Sequence, residues 1–202
     1  MPKKALRPGA MLGPGPAALV SCGDEEEANL ITVAWTGIVA TNPPKTYISV
    51  RPTRHSHGLL EKTGEFVLHL TTAQMAKKVD FCGMYTGRKV DKFQKCGFTK
   101  EKADTVSVPR VAECPVALEC RVSDVLHLGT HDMFLADILS VAVDEALFDK
   151  NGKIHMERAG LCAYVHGEYY ALGARLGAFG YSAVKKKKGK GNDGPKKDRS
   201  HQ

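Results

Sequence analysis

The stretch that decides the fold runs from Asn29 to Ser56 and reads NLITVAWTGIVATNPPKTYISVRPTRHS. Two runs in it, Leu30 to Trp35 and Thr46 to Val50, are rich in β-branched and aromatic residues, which favour a pleated, half-buried backbone. We interpret both runs as strands. The insert Asn42-Pro43-Pro44 separates them because it continues neither a helix nor a central ladder.

The second strand ends in a basic segment that bears hydroxyl groups. Arg51 and Arg54 lie three residues apart, with Thr53 and Ser56 beside them. Forked guanidinium donors and hydroxyls commonly hold a phosphate, so a phosphorylated ligand is our first hypothesis, and a solvated basic turn is the alternative. A second loop, Tyr85 to Phe93, is also basic and could converge on the same phosphate, although an exposed helix start would have the same pattern. Agreement between two segments favours the anion site.

Composition predicts one domain followed by a basic tail. The chain has 202 residues, 43% hydrophobic and 25% charged, which is ordinary for a globular protein. Of its net charge of +7, residues 185–202 contribute +6 through seven Lys, one Arg and two Asp. We therefore predict a nearly neutral domain over residues 1–184 and a disordered, Lys-rich tail over residues 185–202. The tail lacks aromatic residues for stacking, so nucleic-acid binding is the less favoured interpretation of its charge.

Targeting and cysteine patterns predict a cytoplasmic protein. Prolines and glycines follow the basic residues of the N-terminus, so no secretory signal is expected, and no stretch has the length and apolarity of a membrane span. The six cysteines form no C-x-x-C pair, which favours reduced, buried thiols over disulfides or a zinc site. Cys82 is the one thiol for which a redox role stays open beside a core role.

The remaining pattern is mainly β with a few short helices. Alternating or β-branched runs predict strands at residues 17–22, 65–70, 116–122 and 133–145, and a hairpin at residues 161–172 around Gly167. A short helix is expected over residues 57–62, and Thr71-Thr72-Ala73-Gln74 predicts a capping box that opens a second helix. Strands that meander in this way usually close into a barrel.

Familiar catalytic and nucleotide motifs are missing from the sequence. It contains neither G-x-G-x-x-G after a strand nor a phosphate-loop motif, and no triad order stands out. His127 and His131 would share a face if their segment were a strand, but further ligands are lacking. The spacings of His55, His57 and His69 match no metal site, so we predict no metal.

Seven short motifs, taken in their order and spacing, resemble the flavin reductase-like, FMN-binding split-barrel proteins, in particular the flavoredoxin branch. The resemblance covers about residues 14–188. The motifs are Asn29-x-x-Thr32-x-Ala34-Trp35, Pro43-Pro44, Arg51-Pro52-Thr53-Arg54-His55-Ser56, Gly64-Glu65-Phe66, Gly87-Arg88-x-x-Asp91-Lys92-Phe93, Gly129-Thr130-His131-Asp132-Met133-Phe134, and Tyr170-Ala171-Leu172-Gly173 with Leu176-Gly177-Ala178-Phe179-Gly180.

The resemblance implies a homodimeric Greek-key split barrel with FMN bound non-covalently near the subunit interface. By the same resemblance, one set of residues would hold the flavin ring: Asn29, Thr32, Val33, Ala34 and Trp35. A second set would bind the phosphate end of the cofactor: Arg51, Arg54, His55, Ser56 and Lys92. His131 matches a histidine that related flavin reductases place near the nicotinamide of NAD(P)H.

The predicted function is that of an FMN-dependent oxidoreductase. A flavin needs a flat apolar slot with backbone donors, and the edge beside Ala34 and Trp35 offers both, although a core role for Trp35 stays open. Electrons would pass from a donor such as NAD(P)H or a redox protein to an acceptor such as flavin or ferric iron. The rival hypothesis is a flavin-free barrel that binds nucleic acid through its tail.

Overall fold

The computed structural model describes residues 1–183, and strands dominate that part of the chain. Its strands are β1 (Gly15–Pro16), β2 (Ala18–Cys22), β3 (Asn29–Val33), β4 (Thr36–Thr41), β5 (Pro44–Val50), β6 (Glu65–Leu70), β7 (Lys100–Glu101), β8 (Arg110–Val111), β9 (Val116–His127), β10 (Asp132–Val143), β11 (Cys162–Val165) and β12 (Glu168–Ala171). Its α-helices are α1 (His55–Thr63), α2 (Ala76–Met84) and α3 (Lys92–Cys96). Short 3-10 helices occupy Ala73–Met75, Glu145–Leu147, Met156–Arg158 and Tyr181–Ala183.

The main sheet is a barrel that stays open along one side. Its seven strands pair antiparallel in the order β3-β2-β6-β9-β10-β5-β4. The two edge strands, β3 and β4, are consecutive in the chain and are separated only by Ala34 and Trp35. The sheet must therefore curl until its edges meet at that link, where the Ser49 amide donates to the Trp35 carbonyl at 3.0 Å. The mainly β, split-barrel prediction is confirmed, and the split lies at Ala34 and Trp35.

The strand pattern around the split differs from the sequence prediction in one respect. The interpretation of Asn29 to Ser56 as two strands was wrong, because β4 is a third strand between them. Residues of β4 such as Ile38 and Val39 are more than half exposed, so the strand lacks the buried alternation that reveals strands in a sequence. Two long strands that meet near Gly129 and the hairpin around Gly167 were predicted correctly.

Alternation along β2 divides the core into two layers. Ala18, Val20 and Cys22 face the barrel interior, whereas Leu19 packs on the outer side beneath α2 and α3. Successive side chains of a strand point to opposite faces, so a strand that is buried throughout needs cover on both. Helix α2 supplies that cover through Val79 and the neighbouring buried side chains. The outer layer fixes α2 against β3, beside the split.

The helix predictions were right about position and wrong about one cap. The helix α1 extends slightly beyond the predicted residues 57–62 and ends at Gly64, whose φ of 65° suits glycine. The expected capping box does not form, because Thr72 makes no side-chain cap bond and a 3-10 turn precedes α2. The Thr71 hydroxyl instead donates to the Ala17 carbonyl at 2.6 Å. A hydroxyl that bonds a carbonyl of the neighbouring segment is not available to cap the helix.

Within residues 1–183, no helix is long and apolar enough to cross a membrane. The predicted tail, residues 185–202, lies outside the described residues.

Candidate functional site

Two connected cavities lie at the split of the barrel. The larger has a volume of about 690 Å³ and lies between the ends of β3 and β5, the end of α2, and the β11–β12 hairpin. The smaller, about 210 Å³, lies between the segment after β5 and the segment that follows α2. Ile31, Arg51, Arg54 and Gly83 line both, so the cavities are continuous. A volume of several hundred Å³ is typical of sites for cofactors and small molecules.

The structure brings every predicted site residue to one of these cavities. Thr32, Val33, Ala34, Trp35 and His131 line the larger one. The smaller one is lined by Asn29, His55, Ser56 and Lys92, and Arg51 and Arg54 line both. These residues come from segments up to 102 positions apart in the sequence. Their proximity is a finding, whereas their role in holding a cofactor stays a prediction.

The larger cavity has an aromatic wall and a backbone wall. The rings of Trp35 and His131 are 4.6 Å apart at 49°, and Trp35 is 48% exposed, so it is no core residue. The Thr32 hydroxyl donates to the Val79 carbonyl of α2 and is therefore committed to the fold. Strand β3 therefore lines the cavity mainly with its edge backbone and with the side chains at its end. Such a surface suits a flat ring.

His131 is held in a neutral state beside this wall. It lies just before β10, and its Nδ1 is 3.0 Å from the Thr130 hydroxyl. Partial burial, and then the charge of Arg51, lower the pKa of His131 below its ordinary value. The imidazole is therefore uncharged at neutral pH and can donate one hydrogen bond and accept another. His127 and His131 do not belong to one strand, since β9 ends at His127 and a turn at Gly129 precedes β10, so the condition for a shared face is not met.

The smaller cavity concentrates cations. Arg51, Arg54 and Lys92 line it, and within residues 1–183 none of its lining side chains is a carboxylate. Lys92 is only 4% exposed; its ammonium donates to the carbonyls of Leu30 and Cys82 at 2.6 and 2.8 Å. Burial lowers the pKa of Lys92, because the charged form loses solvation there. The third ammonium proton has no partner among the described residues, so a bound anion would complete this site.

A neutral pair completes the smaller cavity. The Asn29 amide donates to the Ser56 hydroxyl at 2.8 Å, which orients both buried side chains. Gly87 approaches this pair closely: a Cβ there would lie 2.2 Å from the Asn29 Oδ1 and 2.8 Å from the His55 Cδ2. Only glycine lets the backbone come so near. Close backbone approach to a group rich in donors is typical of phosphate cradles, so these residues fit a phosphate.

A contact of a buried carboxylate that sequence reasoning missed links helix α1 to the start of β10. Asp132 accepts from His57 Nε2 at 2.7 Å and from His127 Nδ1 at 2.9 Å. Both hydrogen bonds lower the pKa of Asp132, and the one from His127 has the larger effect. Because His57 follows Ser56 on α1 and Asp132 follows His131, this contact fixes the segment after β5 relative to the aromatic wall of Trp35 and His131. Two histidines far apart in sequence gave no pattern that would have predicted it.

The prediction of buried thiols is correct for Cys82, the cysteine for which a redox role was left open. Cys82 is fully buried, its sulfur lies 3.8 Å from that of Cys96, and burial raises its pKa. A thiol that resists ionisation is a poor nucleophile, which favours the core role. Within residues 1–183, no group of three or more His, Cys, Asp or Glu side chains is arranged to hold a metal ion.

Comparison with known proteins places the chain in a family. A family model described as "Flavin reductase like domain" matches residues 11–173, and the chain belongs to this family. The structure is similar to flavoredoxin of Desulfovibrio vulgaris (Miyazaki F), with 26% identity and a TM-score of 0.83 over 90% of this chain and 100% of that one. It also resembles the FMN-binding protein of Thermus thermophilus, with 27% identity and a TM-score of 0.74 over 88% and 97% of the two chains. An uncharacterised protein of Archaeoglobus fulgidus is 32% identical over 128 residues, 63% of this chain and 71% of that one.

Proposed function

We propose that this chain is an FMN-dependent oxidoreductase that passes electrons or hydride from NAD(P)H or a redox protein to an acceptor such as flavin or ferric iron. The observation that carries the proposal is the joined pair of cavities. In the described part of the chain, one is lined by three cations and no carboxylate, and the other has an aromatic wall and a volume of about 690 Å³, which is enough for a flat ring system. The family and its FMN-binding neighbours support the same cofactor.

The phosphate of FMN would occupy the smaller cavity. Arg51 and Arg54 would supply forked donors, and Lys92 would supply the ammonium proton that neither Leu30 nor Cys82 accepts. Ser56 would add a hydroxyl oriented by Asn29, and His55 would border the phosphate. Binding a dianion beside Lys92 favours its charged form, which offsets the effect of burial on its pKa. These residues would anchor the cofactor without taking part in its chemistry.

The ring system would occupy the larger cavity. The edge of β3 at Thr32, Val33 and Ala34 would face the polar rim of the ring, and Trp35 would cover it. When bound, the flavin supplies the capacity to accept and release hydride or single electrons. The chain's part is to orient the ring and to limit the access of water. His131, neutral and next to Trp35, would meet the nicotinamide or another donor at the ring.

A homodimer forms part of the proposal. The edge strand β4 exposes Ile38 and Val39, and Val141 of β10 is 53% exposed on the same sheet. An open edge with apolar side chains is normally covered by a partner. Trp35 precedes this edge directly, so a second subunit seated there would lie next to the larger cavity.

Nucleic-acid binding by the tail remains the alternative, and no observation on the described residues favours it. We retain the division into a domain over residues 1–184 and a tail over residues 185–202 as part of the proposal, since the tail lies outside the described residues.

The visible spectrum of the purified protein tests the proposal first. A flavin spectrum, with FMN identified after release by heat, is expected. NADH and NADPH are then oxidised in turn with free flavin or ferric citrate as acceptor. Turnover would identify a reductase, whereas a flavin-loaded protein without turnover would be an electron carrier. A colourless protein that takes up no added FMN would overturn the proposal.

A further inference from the structure

The turn of the β11–β12 hairpin carries an unusual residue. His166 has a φ of 46° and Gly167 a φ of 97°, and His166 is the only residue other than glycine with a positive φ in residues 1–183. A two-residue hairpin loop with both φ values positive is of the type that favours Asn-Gly or Asp-Gly. Histidine enters this backbone region less readily than glycine, and a residue held there often serves a site.

The turn borders the larger cavity, at the end that the β11–β12 hairpin forms. His166 and Gly167 line that cavity together with Tyr164 and Tyr169 of the two hairpin strands. The rings of the two tyrosines meet edge to face, with centroids 5.4 Å apart at 69°. This end of the cavity therefore has its own aromatic wall, separate from Trp35. Aromatic walls of this kind favour flat, conjugated ligands.

A carboxylate holds this wall and disfavours an anionic ligand beside it. Asp80 of α2 accepts a hydrogen bond from the Tyr169 hydroxyl at 3.2 Å, and among the described residues it is the only acidic side chain that lines the cavity. Burial, followed by the charge of Asp80, raises the pKa of Tyr169, so its hydroxyl stays protonated. An anionic ligand at this end would be repelled by Asp80. An uncharged ring with hydroxyl or carbonyl oxygens finds an acceptor in Asp80 and a donor or acceptor in His166.

We propose that His166, Tyr164, Tyr169 and Asp80 form a subsite for a quinone or its hydroquinone, the second substrate of the oxidoreductase. The inference rests on the proposed function, which provides the cofactor and the reductant. Reduction turns both quinone carbonyls into hydroxyls and consumes two electrons and two protons. NAD(P)H delivers a hydride and becomes NAD(P)+, and water supplies the second proton. The subsite recognises the ring in both states: His166 meets a carbonyl oxygen of the quinone, and Asp80 a hydroxyl of the hydroquinone.

The test uses the flavin-loaded protein and duroquinone, whose four methylated ring positions prevent addition to cysteine. Binding is measured by titration calorimetry, and FMN affinity is measured separately by the quenching of flavin fluorescence. We expect His166→Asn and Tyr169→Phe each to weaken duroquinone binding about 10-fold and to leave FMN affinity within 2-fold. Tyr170→Phe is the matched control: Tyr170 is the next residue on β12, bonds Glu168 and does not line the cavity, so binding stays within 2-fold.

A second readout separates the ligand role from a role in the turn. Because asparagine suits the turn at least as well as histidine, His166→Asn should unfold at an unchanged or higher temperature while binding duroquinone less well. Loss of stability together with unchanged binding would mean that His166 serves the hairpin, and the inference would be wrong. It would also fail if the flavin-loaded protein bound no duroquinone. Absence of FMN binding would instead show that the proposed function had failed.

Discussion

Two groups of buried polar side chains in this protein differ in how completely they are paired. Inside the barrel wall, the Glu119 carboxylate accepts from the amides of Asp104 and Thr105 and from the Arg110 guanidinium. His69 is likewise satisfied on both ring nitrogens. At the smaller cavity, the Lys92 ammonium is buried, and the described residues give it only two carbonyl acceptors and no carboxylate.

The difference indicates which buried polar groups serve the fold and which serve a ligand. A charge removed from water destabilises the protein unless partners compensate for it, and Glu119 has those partners. Among the described residues Lys92 has no anionic partner, and a bound ligand could supply one. Four predictions test this contrast, and they follow from the largest expected effect to the smallest.

Removing the fully paired carboxylate should damage the fold and leave the site intact. Glu119→Ala leaves the amides of Asp104 and Thr105 without their acceptor and removes the buried carboxylate partner of the Arg110 guanidinium, which keeps Asp104 and Glu101. We therefore expect a loss of about 3 to 5 kcal/mol in the free energy of unfolding in urea. Glu113→Ala is the control, because this exposed carboxylate accepts only from the Thr99 amide; its expected cost is about 0.5 kcal/mol. Equal effects of the two substitutions would contradict the contrast.

Acid should destabilise the protein through His69. Its Nδ1 donates to the Leu19 carbonyl and its Nε2 accepts from the Val111 amide, so no site remains for a second proton. Burial lowers its pKa from 6.5 to about 4. Below pH 6.5 the unfolded chain therefore binds a proton that the folded one refuses, and stability falls by about 3 kcal/mol as the pH drops to 4.

The control for this prediction is His69→Gln, which is less stable but lacks the titrating group. Unfolding free energies of both proteins are measured between pH 7 and 4. The difference between them should shrink as the pH falls. A constant difference would mean that His69 titrates normally in the folded protein.

Replacing Lys92, whose ammonium is incompletely paired, should weaken ligand binding strongly and change the stability of the fold little. Lys92→Met should weaken FMN binding about 100-fold, the value of one strong charge-assisted bond, and leave riboflavin binding unchanged. Its stability should change by less than about 1 kcal/mol, because two lost hydrogen bonds are offset by relief of a buried charge. Lys89→Met, in the same segment but exposed and away from the cavity, is the control. Equal losses for FMN and riboflavin would place Lys92 away from the phosphate.

The smallest effect is expected at the ring wall. Trp35→Phe keeps an aromatic side chain but reduces the area over the ring, so the affinity for FMN should fall about 3-fold. Riboflavin should be affected by the same factor, since both ligands carry the same ring. A loss confined to FMN, followed through flavin fluorescence, would show that Trp35 acts on the phosphate end.

The sequence predicted what local patterns encode and missed what only the closed sheet creates. The cation-rich segment at Arg51 and Arg54 and the long strands on either side of Gly129 follow from composition and alternation over a few residues. The edge strand β4 escaped prediction because its residues are largely exposed and lack the alternation that reveals a half-buried strand. Lys92 was predicted to bind the phosphate, and its burial follows only from the packing of α3 against β3. The Asp132 contact and the hairpin wall at Tyr169 join segments that no local pattern relates.

The most direct test of the central claim compares FMN with riboflavin. Trp35 is the only tryptophan of the chain and lines the larger cavity, so its fluorescence reports occupancy of that cavity by either ligand. The flavin-free protein is titrated with each in turn. If the cations of the smaller cavity bind a phosphate, we expect FMN to bind at least about 100-fold more tightly than riboflavin, which has none. Equal affinities would mean that the smaller cavity binds no phosphate, and the contrast between paired and unpaired buried charge would then carry no functional meaning.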